Sequence, residues 1–446
     1  MLTAEQNRAL TEIGPGTPMG EYLRRYWHPV AGLSDLAVGA TKPIRLFGED
    51  LVLYRDTSGG LGLMQRRCPH RGADLAYGIV EASGLRCNYH GWCFDERGEC
   101  TSQPFEDVVR GGQAGRGNVR ATAYPVAVKG GMIWAYMGPA PAPELPDWEA
   151  FGWENGFAQI VVSEVPCNWF QCQENSIDPV HFEWIHENWS NWLESGAASQ
   201  GPRHLKLDFD EFPYGFVYRR IKDDTDETHE NWTVGRVFLW PNAFFLGEHF
   251  EWRVPIDDRN TLSILWKFTR VPRDRPAYVQ DRIPTWHGPL YDADGKWITS
   301  HVMNQDFLAW VGQGPIADRT KEHLGLSDKG IGLIRRRFFA ELAAVAAGEE
   351  PKGLIRDPAQ NRHVELPMMN RQETIDGYTV AEILADPRKR LLFMGFPFQD
   401  GQPDEVRKQF EEAMGLEAVA FAGTDLGVVF SGRKAPSAAP KVEADQ

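Results

Sequence analysis

Long apolar runs are missing from this chain. No stretch of the 446 residues approaches the roughly 18 consecutive apolar residues that span a bilayer, which argues against a membrane-spanning protein. The opening Met1-Leu2-Thr3-Ala4-Glu5-Gln6-Asn7 has neither the basic nor the apolar segment of a secretory leader, so a cytoplasmic protein is expected. Basic charge is in deficit: 47 Lys and Arg face 62 Asp and Glu, a net charge of −15, which repels polyanions and excludes nucleic acid as an expected partner. Cysteine is sparse, with six in the whole chain. Without an export signal, six thiols do not make a disulfide framework, and metal binding or catalysis becomes their expected use. The glycine-containing loop from Gly14 to Gly20 lacks a following Gly-Lys-Ser/Thr, so it reads as a plain turn rather than a phosphate cradle.

What is present is a hydrophobic fraction of 42%, with 12% aromatics, in a chain long enough for two or three domains. Residues 1–30 hold a helix over Ala4 to Ile13 and read as an N-terminal helical arm. Residues 31–140 carry short strand-like runs separated by turn signals: a hairpin from Ile44 to Asp56 around Gly48-Glu49-Asp50, then Leu61 to Met64, Leu85 to Asn88, Trp92 to Asp95 and Met132 to Tyr136. That pattern predicts a small all-β unit. The proline-rich segment Gly138 to Pro146 reads as a linker. Residues 141–432 predict an α+β unit, an antiparallel sheet with helices beside it. Its expected helices are Asn168 to Glu194, Ile331 to Ala347 and Asp404 to Met414. Its expected strands are Phe209 to Tyr218, Asn231 to Leu246 and Leu262 to Phe268. The Ala-, Pro- and charge-rich residues 433–446 predict a disordered tail.

Two constellations carry the chemistry. The first is Cys68-Pro69-His70, sixteen intervening residues, and Cys87-Asn88-Tyr89-His90. Two thiolates and two imidazoles can make a tetrahedral zinc site, or they can hold a two-iron, two-sulfide cluster with both cysteines on one iron and both histidines on the other. A zinc finger segregates its ligand types into separate pairs, whereas here each clip is mixed, which suits two loops gripping an elongated cluster. Gly72 and Gly91 follow the histidines, where tight turns bring backbone amides toward the sulfurs. Four unconnected core residues are the plain alternative. The remaining cysteines, Cys93, Cys100, Cys167 and Cys172, read as core thiols.

The second is Asn175-x-x-Asp178-x-x-His181-x4-His186. Residues five apart lie about 140° around an ideal helix, so two histidines serving one ion here require a widened turn or a break. Two imidazoles and one carboxylate on one face of an iron leave the other positions open for oxygen and substrate. Asp178 is too close to His181 in sequence to be that third ligand and is placed behind it. Asp306, in the mostly apolar His301 to Trp310, is preferred to Asp318 or Glu322 because a buried acid needs a cationic partner. The plain readings are core histidines, a helix-capping Asp306 and a locally bonded Asp178.

Together these motifs resemble the oxygenase component of the Rieske non-heme iron oxygenases. The Gly14 to Gly20 run with Arg24-Arg25-Tyr26-Trp27 is similar to the branch containing phthalate 4,5-dioxygenase and aryl-ether O-demethylases. Cys93 and Asn88 depart from it, standing where relatives carry a basic residue and a proline. The resemblance implies an all-β Rieske domain and a catalytic domain, a [2Fe-2S] cluster on Cys68, His70, Cys87 and His90, and a mononuclear Fe(II) on His181, His186 and Asp306. It implies NAD(P)H electrons arriving through a reductase, directly or by a ferredoxin, and O2 as co-substrate. It also implies a homotrimer or stacked trimers in which Asp178 bonds His181 and reaches His90 of a neighbour. The expected reaction is hydroxylation of an aromatic carboxylate, with O-demethylation of a methoxy-aromatic acid as the alternative. A Rieske electron-transfer protein and a zinc-stabilised binding protein are the readings from other classes. Arg236 and Arg253 are each able to hold a substrate carboxylate or to pair with an acid, and neither is singled out.

Overall fold

The computed structural model describes residues 1–109, 119–196, 198–386, 389, 393 and 400–415. The expected tail at 433–446 lies outside the described residues. Among the described residues no helix is long and apolar enough to cross a membrane.

Three small antiparallel sheets follow the N-terminal helices. One joins Thr41–Leu46, Glu49–Arg55, Leu61–Gln65 and Ala123–Tyr124; a second joins Ile79–Glu81, Gly84–Arg86, Cys93–Phe94 and Cys100–Ser102. The third sets Met132–Tyr136 between Trp27–Gly32 and Val126–Lys129. The inward faces of the first two supply a core of Val52, Tyr54, Met64, Leu85 and Phe94, which also takes in Leu75 of the short helical turn Leu75–Tyr77 and Cys68 and Cys87. The cluster loops therefore leave from rigid strands and return into one apolar core. The helix Ala4–Thr11 opens with a capping box from Thr3 and Gln6. The N-terminal segment is bound to the second unit: the Leu2 amide donates to the Arg319 carbonyl, that of Ile13 to Asp258, and Tyr22 packs edge-on against Phe338.

The second unit is built on one eight-stranded sheet, in the order His204–Phe212, Gly215–Lys222, Arg236–Leu239, Ala243–Leu246, His249–Asp257, Asn260–Arg270, Gly156–Val165 and Thr285–His287. Every neighbouring pair is antiparallel except the last, which is parallel, so the sheet is mixed at one edge. Helices Trp169–Asn175, Val302–Gly312 and Lys329–Ala346 pack beside it. Trp134 of the small unit meets Trp252 of the sheet with ring centroids 5.2 Å apart, joining the two cores.

Three sequence expectations need correcting. The strand expected from Phe209 to Tyr218 is two strands of a hairpin turning at Pro213-Tyr214, where proline lacks the N–H a ladder needs. Asn231 to Leu246 is a helical turn, Glu230–Thr233, and two strands that turn at Trp240-Pro241-Asn242. Both faces of these strands are buried, so the apolar run hides its own turns. The helix expected over Asn168 to Glu194 breaks after Asn175 and resumes only at Phe182. Pro179 and the Asp178 carboxylate, which accepts from the Val180 amide at 2.9 Å, hold the intervening turn.

Candidate metal centres and substrate cavity

The two cluster loops are copies of one construction. The Cys68 amide donates to the Ala73 carbonyl and the Gly72 amide to the Cys68 carbonyl; likewise Cys87 donates to Trp92 and Gly91 to Cys87. Gly72 and Gly91 occupy the left-handed region at φ 74° and 77°, which glycine adopts without steric cost. An arginine–carboxylate pair stiffens each loop, Arg66 with Asp74 at 2.7 Å and Arg86 with Glu81 at 2.9 Å. Cys68 and Cys87 are buried at the loop bases, and the His70 and His90 rings stand 4.6 Å apart at the tips. Burial, with the Cys87 thiol beside it, raises the Cys68 pKa to about 11. His70 stacks on Trp92 at 4.3 Å, and its Nδ1 is buried without a hydrogen-bond partner. Buried thiols crowded against each other and an imidazole lone pair with no donor are a donor set that fits a two-iron cluster and is poorly served without one.

The other cysteines are all buried. Cys93 points its thiol at Glu81, 3.6 Å away, so that departure from the family pattern is a matter of packing and not of an exposed docking surface. Asn88 is exposed.

Among the described residues, His181, His186 and Asp306 form the group whose ligand atoms all lie within 4.8 Å of one another. His181 precedes a π-helical segment, Phe182–Trp189. The wider turn brings residues five apart onto one face, and the two imidazole centroids are 5.4 Å apart. The opposite face keeps the segment in register: buried Glu183 pairs with His204 at 2.7 Å, and Glu187 with Lys222 at 2.7 Å. Asp306 rises from the helix Val302–Gly312 with Oδ1 3.7 Å from His181 Nε2 and 3.4 Å from His186 Nε2.

Neighbours orient these groups. Gln305 donates through Nε2 to Ser190 Oγ at 2.8 Å and to the Thr299 carbonyl at 2.9 Å, so its Oε1 must accept from His186 Nδ1 at 2.8 Å. That puts the proton on Nδ1 and leaves the Nε2 lone pair aimed at Asp306. Asn175 Nδ2 donates to Asp306 Oδ1 at 3.1 Å. Both nitrogens of His181 are buried without a hydrogen-bond partner. Burial lowers the His181 pKa despite Asp306 and Asp178; in His186 burial acts the same way, but Asp306 and Gln305 outweigh it and the pKa rises. Two neutral-prone or proton-seeking imidazoles over one carboxylate, with an orphaned ring among them, fit a divalent iron better than they fit a core. Replacing Gln305 by Leu is expected to release the His186 tautomer and weaken iron binding by about 10- to 100-fold, measured by iron retention against a graded chelator.

Asp178 stands behind His181, its Oδ2 3.8 Å from Nδ1. It faces the atom expected of it but is too distant for the hydrogen bond the resemblance implies. Asp318 and Glu322 are engaged elsewhere, with Lys321 and Arg335.

The triad opens onto a cavity of about 180 Å³, lined by Phe182, Phe244, Phe245, Phe268, Val302 and Met303 among others. An apolar cavity of roughly 150 Å³ admits benzene, so an aromatic ring fits. Sequence reasoning did not assign the tautomer-setting role of Gln305 or the carboxylate-holding role of Asn175. Their nearness to Asp306 and to the histidine motif was visible; the direction of their amides was not.

A protein-family profile for the Rieske [2Fe-2S] domain matches residues 26–112, and one described as LigXa C-terminal domain like matches residues 248–366. The 5,5'-dehydrodivanillate O-demethylase oxygenase subunit of Sphingobium sp. (strain NBRC 103272 / SYK-6) is 59% identical over 414 residues, 93% of this chain and 97% of that one. The phthalate 4,5-dioxygenase oxygenase subunit of Pseudomonas putida is 32% identical over 405 residues, 79% of this chain and 89% of its own. The solved structure of Pseudomonas putida CBB5 NdmA shares the fold with a TM-score of 0.53, 21% identity, and coverage of 77% of this chain and 94% of that one. With the paired cluster loops and the two-histidine, one-carboxylate centre in place, the chain belongs to the Rieske non-heme iron oxygenases, as an oxygenase subunit carrying a [2Fe-2S] domain and a catalytic domain for mononuclear iron and O2.

Proposed function

We propose that this oxygenase removes the methyl group of a methoxy-aromatic acid. The observation carrying this reading is the 59% identity, across 93% of the chain, to an oxygenase subunit whose name states O-demethylation. The phenylalanine-rich part of the cavity beside the triad supports an aromatic substrate. In balance, Ar–OCH3, O2, two electrons and two protons give ArOH, formaldehyde and water. Cys68, His70, Cys87 and His90 hold the cluster, and His181, His186 and Asp306 hold the iron, which when bound supplies the activation of O2. This chain's own residues set the imidazole tautomer, exclude water with the phenylalanine wall and position the ether. Electrons derive from NAD(P)H through a reductase, directly or by a ferredoxin.

Ring hydroxylation of an aromatic carboxylate is the second reading, favoured by relatives such as the phthalate 4,5-dioxygenase subunit. One assay separates them: with an NAD(P)H-coupled reductase, demethylation yields one formaldehyde per O2 consumed on methoxybenzoates, and O2 uptake without formaldehyde would sink it.

A homotrimer, or stacked trimers, supports transfer between the centres of neighbouring subunits. His90 and Tyr89 are exposed at the cluster tip, and Asp178 is partly exposed behind His181. Asp178→Asn is expected to keep both metals yet slow reoxidation of the reduced cluster at least about tenfold in single turnover; an unchanged rate removes Asp178 from the path.

A further inference from the structure

Every acid on the described cavity wall is already committed. Asp306 faces the two histidines and Asn175, Glu248 faces Lys267 at 3.6 Å, and Glu373 accepts from the Tyr378 hydroxyl at 2.6 Å. Glu251 is shared by His249, at 3.0 Å, and Arg253. Burial pushes its pKa up, but the Arg253 guanidinium and the His249 hydrogen bond outweigh that and lower it to about 2. Arg253 is therefore charge-matched. Arg270 donates to the carbonyls of Thr374 and Glu154, and Lys389 lies over the Tyr378 ring.

Arg236 is different. Like Arg253 it is at least nine-tenths buried, opens onto the same cavity and has Nε and Nη1 buried with no hydrogen-bond partner, but among the described residues no carboxylate pairs with it, whereas Glu251 pairs with Arg253. Its guanidinium carbon lies 4.3 Å above the centroid of Phe182, whose ring is 4.6 Å from that of His181 and 5.0 Å from that of His186. A stacked guanidinium recovers part of its lost hydration through the ring, but its in-plane donors stay unsatisfied. Burying a cation without an anion is strongly unfavourable unless a partner arrives.

We infer that Arg236 is the anchor for the substrate's carboxylate, one ring's breadth from the iron triad. This deepens the demethylase reading and rests on it for the reacting ether. The forked donors match a carboxylate, and Phe182 separates them from the triad. An aromatic ring lying alongside Phe182 then carries its carboxylate toward Arg236 and its methoxy group toward His181, His186 and Asp306. A phenolic oxygen adjacent to the ether would lie too near the triad to use this anchor.

The test compares wild-type holoenzyme with Arg236→Met and Arg236→Lys, titrated calorimetrically without reductase so that no turnover occurs. The ligands are 3-methoxybenzoate, 2-methoxyphenol and neutral 1,3-dimethoxybenzene. Arg236→Met should weaken 3-methoxybenzoate about 10- to 100-fold, leave the other two unchanged, and keep iron content and cluster absorbance. Arg236→Lys should recover part of the loss. Because an apolar side chain replaces an unpaired buried cation, the Tm should hold or rise; a fall accompanied by equal weakening of all three ligands would make Arg236 structural and overturn the assignment. It is also overturned if 3-methoxybenzoate binds equally to both proteins, if the wild type does not bind it, or if 2-methoxyphenol alone is weakened. Tight carboxylate-dependent binding without formaldehyde in the coupled assay would leave the anchor standing and remove the demethylase reading instead.

Discussion

Asp306→Ala is expected to strip the mononuclear iron while leaving the visible spectrum of the cluster intact. Among the described residues the carboxylate is the one anionic donor within reach of both imidazoles, at 3.7 and 3.4 Å, and two neutral histidines alone hold a divalent ion weakly and leave its charge uncompensated in a buried site. Iron per chain should fall from three toward the two of a [2Fe-2S] centre, with iron affinity down by well over about 100-fold, since the loss of a ligand exceeds the loss of a supporting contact. Formaldehyde release should vanish. The fold should survive: with Asp306 gone, no buried charge is stranded, because burial holds His181 toward its neutral form and His186 loses the carboxylate that raises its pKa against its own burial. Metal analysis alongside absorbance is the measurement. Full iron occupancy in the variant would mean that another group is the third ligand.

His90→Ala is expected to abolish the cluster, and it isolates ligation from packing better than Cys68→Ala does. Cys68 is 3% exposed within an apolar core, so its truncation also removes packing. His90 is exposed at the loop tip, where truncation ordinarily changes stability by no more than about 0.5 kcal/mol. Loss of brown colour and of all cluster iron from a chain that keeps its circular dichroism would follow only from loss of a ligand. The two variants should be complementary: His90→Ala keeps iron-binding capacity at the triad and Asp306→Ala keeps the cluster, yet neither turns over. A coloured His90→Ala protein with normal reduction would break the proposed ligand set.

The cluster loops were readable because their ligands lie within 23 positions and each loop is closed by bonds inside itself, Gly72 to Cys68 and Gly91 to Cys87. Local spacing then carries nearly all the geometry. The same holds for the need for a widened turn between His181 and His186, since five residues cannot share a face of an ordinary helix. Asp306 was reached from a distance because an acid in an apolar helix demands a partner. Strand ends fared worse: the turn at Trp240 sits inside an apolar run whose two faces are both covered, and the strand before Pro213 is partly exposed on both faces, so alternation gives no signal at either turn.

Residue type and spacing thus pointed to the family, the two metal stations and the candidate ligands, because thiolates, imidazoles and carboxylates at such intervals serve few other ends. Folding alone decided the rest. The π-helical phase depends on Glu183 and Glu187 finding His204 and Lys222 on distant strands, the His186 tautomer on which way the Gln305 amide turns, and the exposed need of Arg236 on every nearby acid being taken by another group. Hydrogen-bond direction and charge pairing are properties of neighbours in space, and a single chain written in order does not contain its neighbours.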